Sequence, residues 1–264
     1  MRISLGFRKD ETNKINNINR MISRYLNLLT TNKRYTIISI ILLIVISVII
    51  NIFYTSKKKN LKITPHQYYN YTLYEIDNIL TPKECDIIIE LGKARGVETS
   101  PVLSYGTEST TQINDKYRNS KHTWFNDNDH PIIKEIAEYT SKISGLPLEN
   151  QEATQVAYYN AGGKFDAHYD ACVYEDKSFC DKINNNAGQR KMTLLIYLND
   201  DFEGGETEFT VLNLKIKPKK GKGILFYDTD DNQEIIKESM HKGNEIIKGE
   251  KWICTKWVHF KKFT

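Results

Sequence analysis

The stretch QVAYYNAGGKFDAHYD, Gln155–Asp170, decides how the chain is read. Gln155–Tyr159 and Phe165–Asp170 are two short β-type runs, and the segment between them carries Asn and Gly, residues that favour turns. His168 and Asp170 are two apart, so on a strand both side chains point to the same face. One imidazole and one carboxylate on one face can share a metal ion. Alone, an H-x-D triplet is weak evidence, because a histidine is more often a satisfied or surface side chain.

The pattern continues on the C-terminal side. Lys191–Asn199, Glu206–Val211, Leu214–Pro218, Gly223–Tyr227, Glu238–His241 and Lys251–Lys261 are further short β-type runs, bounded by Gly, Asn and Asp. On the N-terminal side lie two helices. Thr81-Pro-Lys-Glu84 reads as a capping box with proline in the first turn; an apolar face through Ile87–Ile89, Leu91 and Ala94 follows, and Gly96 ends it. Pro131–Ser144 carries Ile132, Ile133, Ile136, Ala137, Tyr139 and Ile143 at helical spacing, with Gly145 as the stop. About eight strands after two helices predict a mainly β fold with flanking helices, a double-stranded β-helix or jelly roll.

His241 follows His168 by 73 residues, which suits a ligand from a distant strand of a closed roll. Lys251 comes ten residues later. Two histidines and one carboxylate are the ligand set of a non-haem Fe(II) oxygenase, which leaves metal positions open for substrate and O₂. The lysine stands where such an enzyme could hold the far carboxylate of 2-oxoglutarate. A small residue at 170 would free a metal position for halide; an aspartate favours hydroxylation.

The N-terminal third reads differently. Thr36–Tyr54, TIISIILLIVISVIINIFY, holds no charge over nineteen residues. At helical rise it spans roughly 28 Å, the thickness of a bilayer's hydrocarbon core. The expected organisation is a cytosolic tail over 1–34, a transmembrane signal anchor over 35–54, a Lys-rich stem over 55–66 and the catalytic domain over 67–264. Eight Lys/Arg precede the span and four follow it within about twenty residues, which predicts a single-pass type II protein with a lumenal C-terminal domain. Residues 1–62 hold twelve of the 37 Lys/Arg and two of the 33 Asp/Glu, leaving 25 basic and 31 acidic residues over 63–264, a net of −6. That balance argues against nucleic acid as a partner.

Cys172 and Cys180, eight apart in a polar stretch, could form a local disulfide in an oxidising compartment, or all four cysteines could stay as thiols. Asn70-Tyr-Thr72 is a glycosylation sequon that agrees with a lumenal placement.

Several ordered motifs over residues 72–262 resemble the prolyl 4-hydroxylases. They are the opening stretch, Arg190–Leu198, Phe202–Thr207, Lys217–Gly221, and Ser239-Met-His241 through Gly249-Glu-Lys251-Trp252, with the helix start at Leu80–Cys85 and the Arg118-Asn-Ser120 segment. The anchor resembles that of membrane-bound members placed in the endoplasmic reticulum. The resemblance implies that His168, Asp170 and His241 hold Fe(II) and that Lys251 pairs with the far carboxylate of 2-oxoglutarate. It implies that Thr193 and Tyr159 offer hydroxyls to that carboxylate, and that Arg118, Phe165, Trp257 and His259 face the peptide. It also implies ascorbate as reductant and a proline-rich or collagen-like polypeptide as substrate. Phe165 stands where many relatives have tyrosine, and Gly243 is followed by Asn244-Glu245 rather than Cys-Pro. The oligomeric state is left open.

Three other readings compete. Lysyl hydroxylases resemble this pattern but usually carry arginine at the position of Lys251. A nucleic-acid demethylase of the superfamily would want a basic groove. An anchored peptide-binding roll with a dead metal site is the non-enzymatic alternative, disfavoured by the complete His/Asp/His/Lys set.

Overall fold

The structure, a computed structural model, describes residues 19–23, 39–40, 42–44, 46, 60–103 and 111–263. The chain divides into two units, Met1–Lys58 and Lys59–Thr264. In the first, the described residues are helical.

The transmembrane signal anchor expected over 35–54 is corrected by the structure: among the described residues no helix is long and apolar enough to cross a membrane. The membrane as partner and the type II placement in the endoplasmic reticulum membrane lose their basis with it. Composition counts apolar side chains, whereas a span needs one unbroken helix of about 20 residues in which every backbone group is satisfied. Within 35–54 the described helical residues are 39–40, 42–44 and 46; the rest of that expectation lies outside the described residues.

The second unit is a β-roll of two main sheets. The larger has eight strands in the order Lys62–Tyr68, Tyr71–Asp77, Gly223–Tyr227, Arg190–Tyr197, Lys251–His259, Thr154–Tyr159, Lys121–Phe125 and Glu98–Thr99. The smaller has five, in the order Leu214–Ile216, Thr207–Phe209, His241–Gly243, Lys164–His168 and Arg118–Asn119. All pairings of named strands are antiparallel. The strand at Lys62 begins inside the segment read as a stem.

The large sheet is covered on both faces. Helices Pro82–Arg95 and Pro131–Ser144 pack Ile88, Ile89, Ile133 and Ile136 against Val156, Leu194, Ile196 and Trp252. On the other face Tyr197, Leu195, Phe226 and Ile253 meet Phe209, Ile216 and Ile246. Helix Pro82–Arg95 starts as its sequence dictates: Thr81 Oγ1 accepts from Glu84 N–H, and the Glu84 carboxylate accepts from Thr81 N–H at 2.7 Å. The second helix takes His130 as its cap, through Nδ1, and stops at left-handed Gly145.

Candidate active site

Sheet pairing assembles the centre. His168 is the last residue of the strand Lys164–His168, and its direct partner across the small sheet is His241. The two rings lie 4.3 Å apart, centroid to centroid. Asp170 follows just beyond the strand end. Asp170 Oδ1 is 3.8 Å from His168 Nε2, and Oδ2 is 3.9 Å from His241 Nε2. One ligand atom from each of the three residues can be chosen so that all lie within 4.8 Å of one another. Each histidine donates Nδ1–H to a backbone carbonyl, His168 to Asp166 O at 2.7 Å and His241 to Ser239 O at 2.9 Å. That fixes the tautomer and turns both Nε2 lone pairs toward Asp170. Burial, then the neighbouring His241, pushes the His168 pKa down to about 3, so its ring is neutral and able to ligate at neutral pH. Burial pushes the Asp170 carboxyl up, but His241, His168 and Arg190 outweigh it and hold its pKa at about 2.

Lys251 occupies another wall of the same cavity, which measures about 700 Å³. The residue is 3% exposed, and its ammonium donates to Gly205 O at 2.7 Å. Tyr159 and Tyr197 place their rings 5.6 and 5.4 Å from it. Burial lowers its pKa to about 7, and Glu206 opposes that only in part. Among the described residues no carboxylate hydrogen-bonds this buried ammonium, which is poised for an anion brought by a ligand.

The remaining expected site residues divide. Phe165 stacks on His168 with centroids 3.6 Å apart, and Arg118 lies 4.6 Å above its ring. Arg118 also donates to Gln155 Oε1 at 3.2 Å and Ser120 Oγ at 2.9 Å. Both residues, with Trp257, line the cavity. His259 does not: it is fully buried, and its ring nitrogens face Gly188 O and Glu152 Oε1. Its ring is occupied by these two contacts, whereas Lys251 and Trp257 of the same strand line the cavity. Thr193 lines the cavity, yet its hydroxyl contacts Asp170 and Asp228, each at 2.8 Å, and it pairs with Trp257 rather than lying beside Lys251. The geometry therefore does not give Thr193 the far carboxylate. Thr207, whose Oγ1 accepts from Tyr197 O–H at 2.6 Å, lies in that part of the wall, two residues from Gly205.

Arg190 was not singled out by sequence. It grips the Glu152 carboxylate with two nitrogens, at 2.5 and 3.0 Å, donates to Asp170 O at 3.2 Å, and lies 4.0 Å over the Trp257 ring. Burial raises the Glu152 pKa, and Arg190 with His259 more than reverses it, to about 2. Arginine and glutamate stand 38 residues apart, so no local pattern announces the pair.

The profile of the 2OG-Fe(II) oxygenase superfamily matches residues 154–259, which contain His168, Asp170, Arg190, His241 and Lys251. A protein of Acanthamoeba polyphaga mimivirus named as a prolyl 4-hydroxylase is 33% identical over 192 residues, 72% of this chain and 75% of its own. The chain belongs to the prolyl 4-hydroxylase family. Prolyl 4-hydroxylase 2 of Arabidopsis thaliana is 34% identical over 209 residues, 71% of this chain and 67% of its own. Among solved structures, the viral collagen prolyl hydroxylase of Paramecium bursaria Chlorella virus 1, in its 2-oxoglutarate complex, is 33% identical. The match has a TM-score of 0.57 and covers 70% of this chain and 94% of that one.

Membership in this prolyl 4-hydroxylase family implies Fe(II) and 2-oxoglutarate. The donor set fits the first, with two imidazole nitrogens and a carboxylate oxygen converging on one point. The buried Lys251 ammonium fits the second, a small dianion.

Proposed function

We propose that the chain hydroxylates peptidyl proline to 4-hydroxyproline, consuming O₂ and 2-oxoglutarate and releasing succinate and CO₂, with ascorbate as reductant. The observation that carries this reading is one cavity holding both the His168/Asp170/His241 cluster and the buried Lys251, in a chain of the prolyl 4-hydroxylase family. When bound, Fe(II) supplies the O₂ activation and the oxidising power.

The chain's own residues supply geometry and exclusion of water. His168, Asp170 and His241 hold the metal. Lys251 holds the far carboxylate of 2-oxoglutarate in a buried setting, where the attraction exceeds that in water, and Tyr159 borders the same wall. Arg118, Phe165 and Trp257 form the cavity surface on which an extended proline-rich peptide would lie, with aromatic faces suited to proline rings. The substrate class proposed is a proline-rich or collagen-like polypeptide.

The test offers collagen-like, poly-proline and lysine-containing peptides with Fe(II), 2-oxoglutarate and ascorbate, and follows succinate release and peptide mass. Addition of 16 Da on proline, dependent on His168, supports the reading. Addition on lysine and never on proline, or no turnover at all, overturns it.

A further inference from the structure

Asp170 is linked through a single hydroxyl to a second buried carboxyl. Thr193 Oγ1 lies 2.8 Å from Asp170 Oδ2 and 2.8 Å from Asp228 Oδ2. Asp228 is 0% exposed, and its other oxygen, Oδ1, has no hydrogen-bond partner among the described residues. The backbone fixes it there. Asp228 follows the strand Gly223–Tyr227, its N–H donates to Lys191 O at 3.0 Å, and its carbonyl accepts from Ile236 N–H at 3.0 Å. The same strand pairs with Arg190–Tyr197, so register brings Asp228 to Thr193.

A hydroxyl owns one hydrogen. Two ionised carboxylates at 2.8 Å from it would leave one oxygen–oxygen contact with no hydrogen between, so the second hydrogen belongs to a carboxyl group. Asp170 turns its two oxygens to the histidine Nε2 atoms, at 3.8 and 3.9 Å, where a cation shared by the three residues would favour its anion. Asp228 is pushed well above the usual carboxylate range, by burial first and by the charge of Asp170 second. The hydrogen therefore lies on Asp228, which donates to Thr193, and Thr193 donates in turn to Asp170 Oδ2. Asp170 Oδ1 is left for an ion.

We infer that Asp228 is a positioning residue: as a neutral acid it acts through Thr193 to fix the Asp170 carboxylate as a one-oxygen metal ligand. The inference rests on the metal-centre reading above. A fold needing only volume at position 228 would be better served by an apolar side chain, since an acid at 0% exposure carries a desolvation cost. The relay offsets part of that cost and gives the acid a task.

The experiment is Co(II) titration of the full chain without 2-oxoglutarate, followed by visible absorption, with the metal-free melting temperature as a folding control. Thr193→Val removes only the hydroxyl at nearly constant volume, and Asp228→Ala removes the acid. Each is expected to weaken Co(II) about 10–100-fold, the usual cost of losing a ligand's hydrogen-bond partner, and to alter the saturated spectrum. Asp228→Asn keeps a hydrogen donor facing Thr193 and is expected to stay within about threefold of wild type. Should Asp228→Ala not fold, Thr193→Val decides. Wild-type affinity and spectrum in Thr193→Val overturn the relay while leaving the metal centre intact. An Asn variant as weak as the Ala variant overturns the neutral-acid assignment. Wild type that takes up no Co(II) sinks the metal-centre reading itself, and the relay falls with it.

Discussion

His168 and His241 are directly paired residues on adjacent antiparallel strands, 73 positions apart in the chain and 4.3 Å apart between ring centroids. A one-residue slip of that pairing would send one imidazole to the opposite face of the small sheet. The metal centre is thus a property of strand register, and the register is irregular between His241 and Gly243, immediately beside the ligand.

The first prediction concerns these partners. A metal bound to the folded protein alone stabilises it by about 2.7 kcal/mol at a hundred times its Kd. Wild type is therefore expected to melt higher with saturating Fe(II) under anaerobic conditions. His168→Ala and His241→Ala each lose that increment, together with succinate production, which should fall more than about 100-fold because a lost ligand costs more than a lost ligand partner. Differential scanning fluorimetry and a succinate assay measure both. A variant retaining the metal-dependent rise would remove its histidine from the ligand set.

A second prediction follows from Lys251. Burial holds its amine near 7 in the ligand-free protein, and an incoming carboxylate favours the charged form. Below pH 7 the ammonium is already present and 2-oxoglutarate binds without proton uptake. Above it, binding must take up a proton, so the KM for 2-oxoglutarate is expected to rise by up to about tenfold per pH unit until the pKa of the complex is reached. Lys251→Met should raise KM at every pH and abolish that slope. It should also raise the melting temperature of the ligand-free protein below pH 7, since it removes an unpaired buried charge. A KM for wild type that is flat from pH 6.5 to 9 would sink the assignment.

The third prediction concerns the disulfide Cys172–Cys180, whose cysteines are eight residues apart. Closing so short a loop stabilises by about 2.5 kcal/mol on the chain-entropy model. Cys172 is two residues from Asp170, and its backbone is also clamped by Gln189, which accepts from its N–H and donates to its carbonyl at 2.9 Å each. Cys172, Val173, Tyr174, Ile183 and Asn184 all line the cavity. Cys180→Ser should lower the melting temperature and raise the peptide KM, while the 2-oxoglutarate KM, set at Lys251, changes little. An unchanged peptide KM would show that the loop does not shape the peptide site.

How far the sequence foretold this site depends on whether the signal was local. Thr81, Pro82, Glu84 and Gly145 lie within one helical turn of the ends they set, and both helices came out at the expected places. The strand Gly223–Tyr227 has the expected bounds, and His168, Asp170, His241 and Lys251 converge on one cavity. The strand expected at Glu238–His241 instead begins at His241, after a 3₁₀ turn at Lys237–Ser239. Lys62–Tyr68 was hidden because Pro65 and the lysine-rich flank read as linker; it is an edge strand, where proline costs little. Helix Lys177–Ile183 is seven residues long, too short for a helical period to show. Glu152, Arg190 and Asp228 matter through partners far away in the chain, which no window of sequence contains. The apolar run at 35–54 is the opposite case: composition there was strong, yet among the described residues no helix is long and apolar enough to cross a membrane.

The last prediction tests how Lys251 is aimed. Its ammonium donates to the carbonyl of Gly205, and Gly205 has φ +69°, a left-handed conformation that costs other residues about 1–2 kcal/mol. Space is closed as well. A Cβ on Gly205 would collide with Ile246 Cδ1, lie 2.8 Å from Phe202 Cε2, and press on Lys251 Cδ at 3.3 Å. The Phe202 and Ile246 side chains are packed into the apolar layer between the sheets, so relief comes most readily from moving the Gly205 backbone or the lysine stem. Either motion shifts the ammonium from where a small dianion would meet it. Gly205→Ala is therefore expected to raise the 2-oxoglutarate KM about tenfold or more and to lower the melting temperature, with the metal affinity at His168, Asp170 and His241 kept within about threefold. Calorimetric titration of Co(II), then of 2-oxoglutarate into the Co(II) form, separates the two effects. If Gly205→Ala instead loses metal and 2-oxoglutarate in equal measure, the glycine supports the whole roll, and the lysine is aimed by something else.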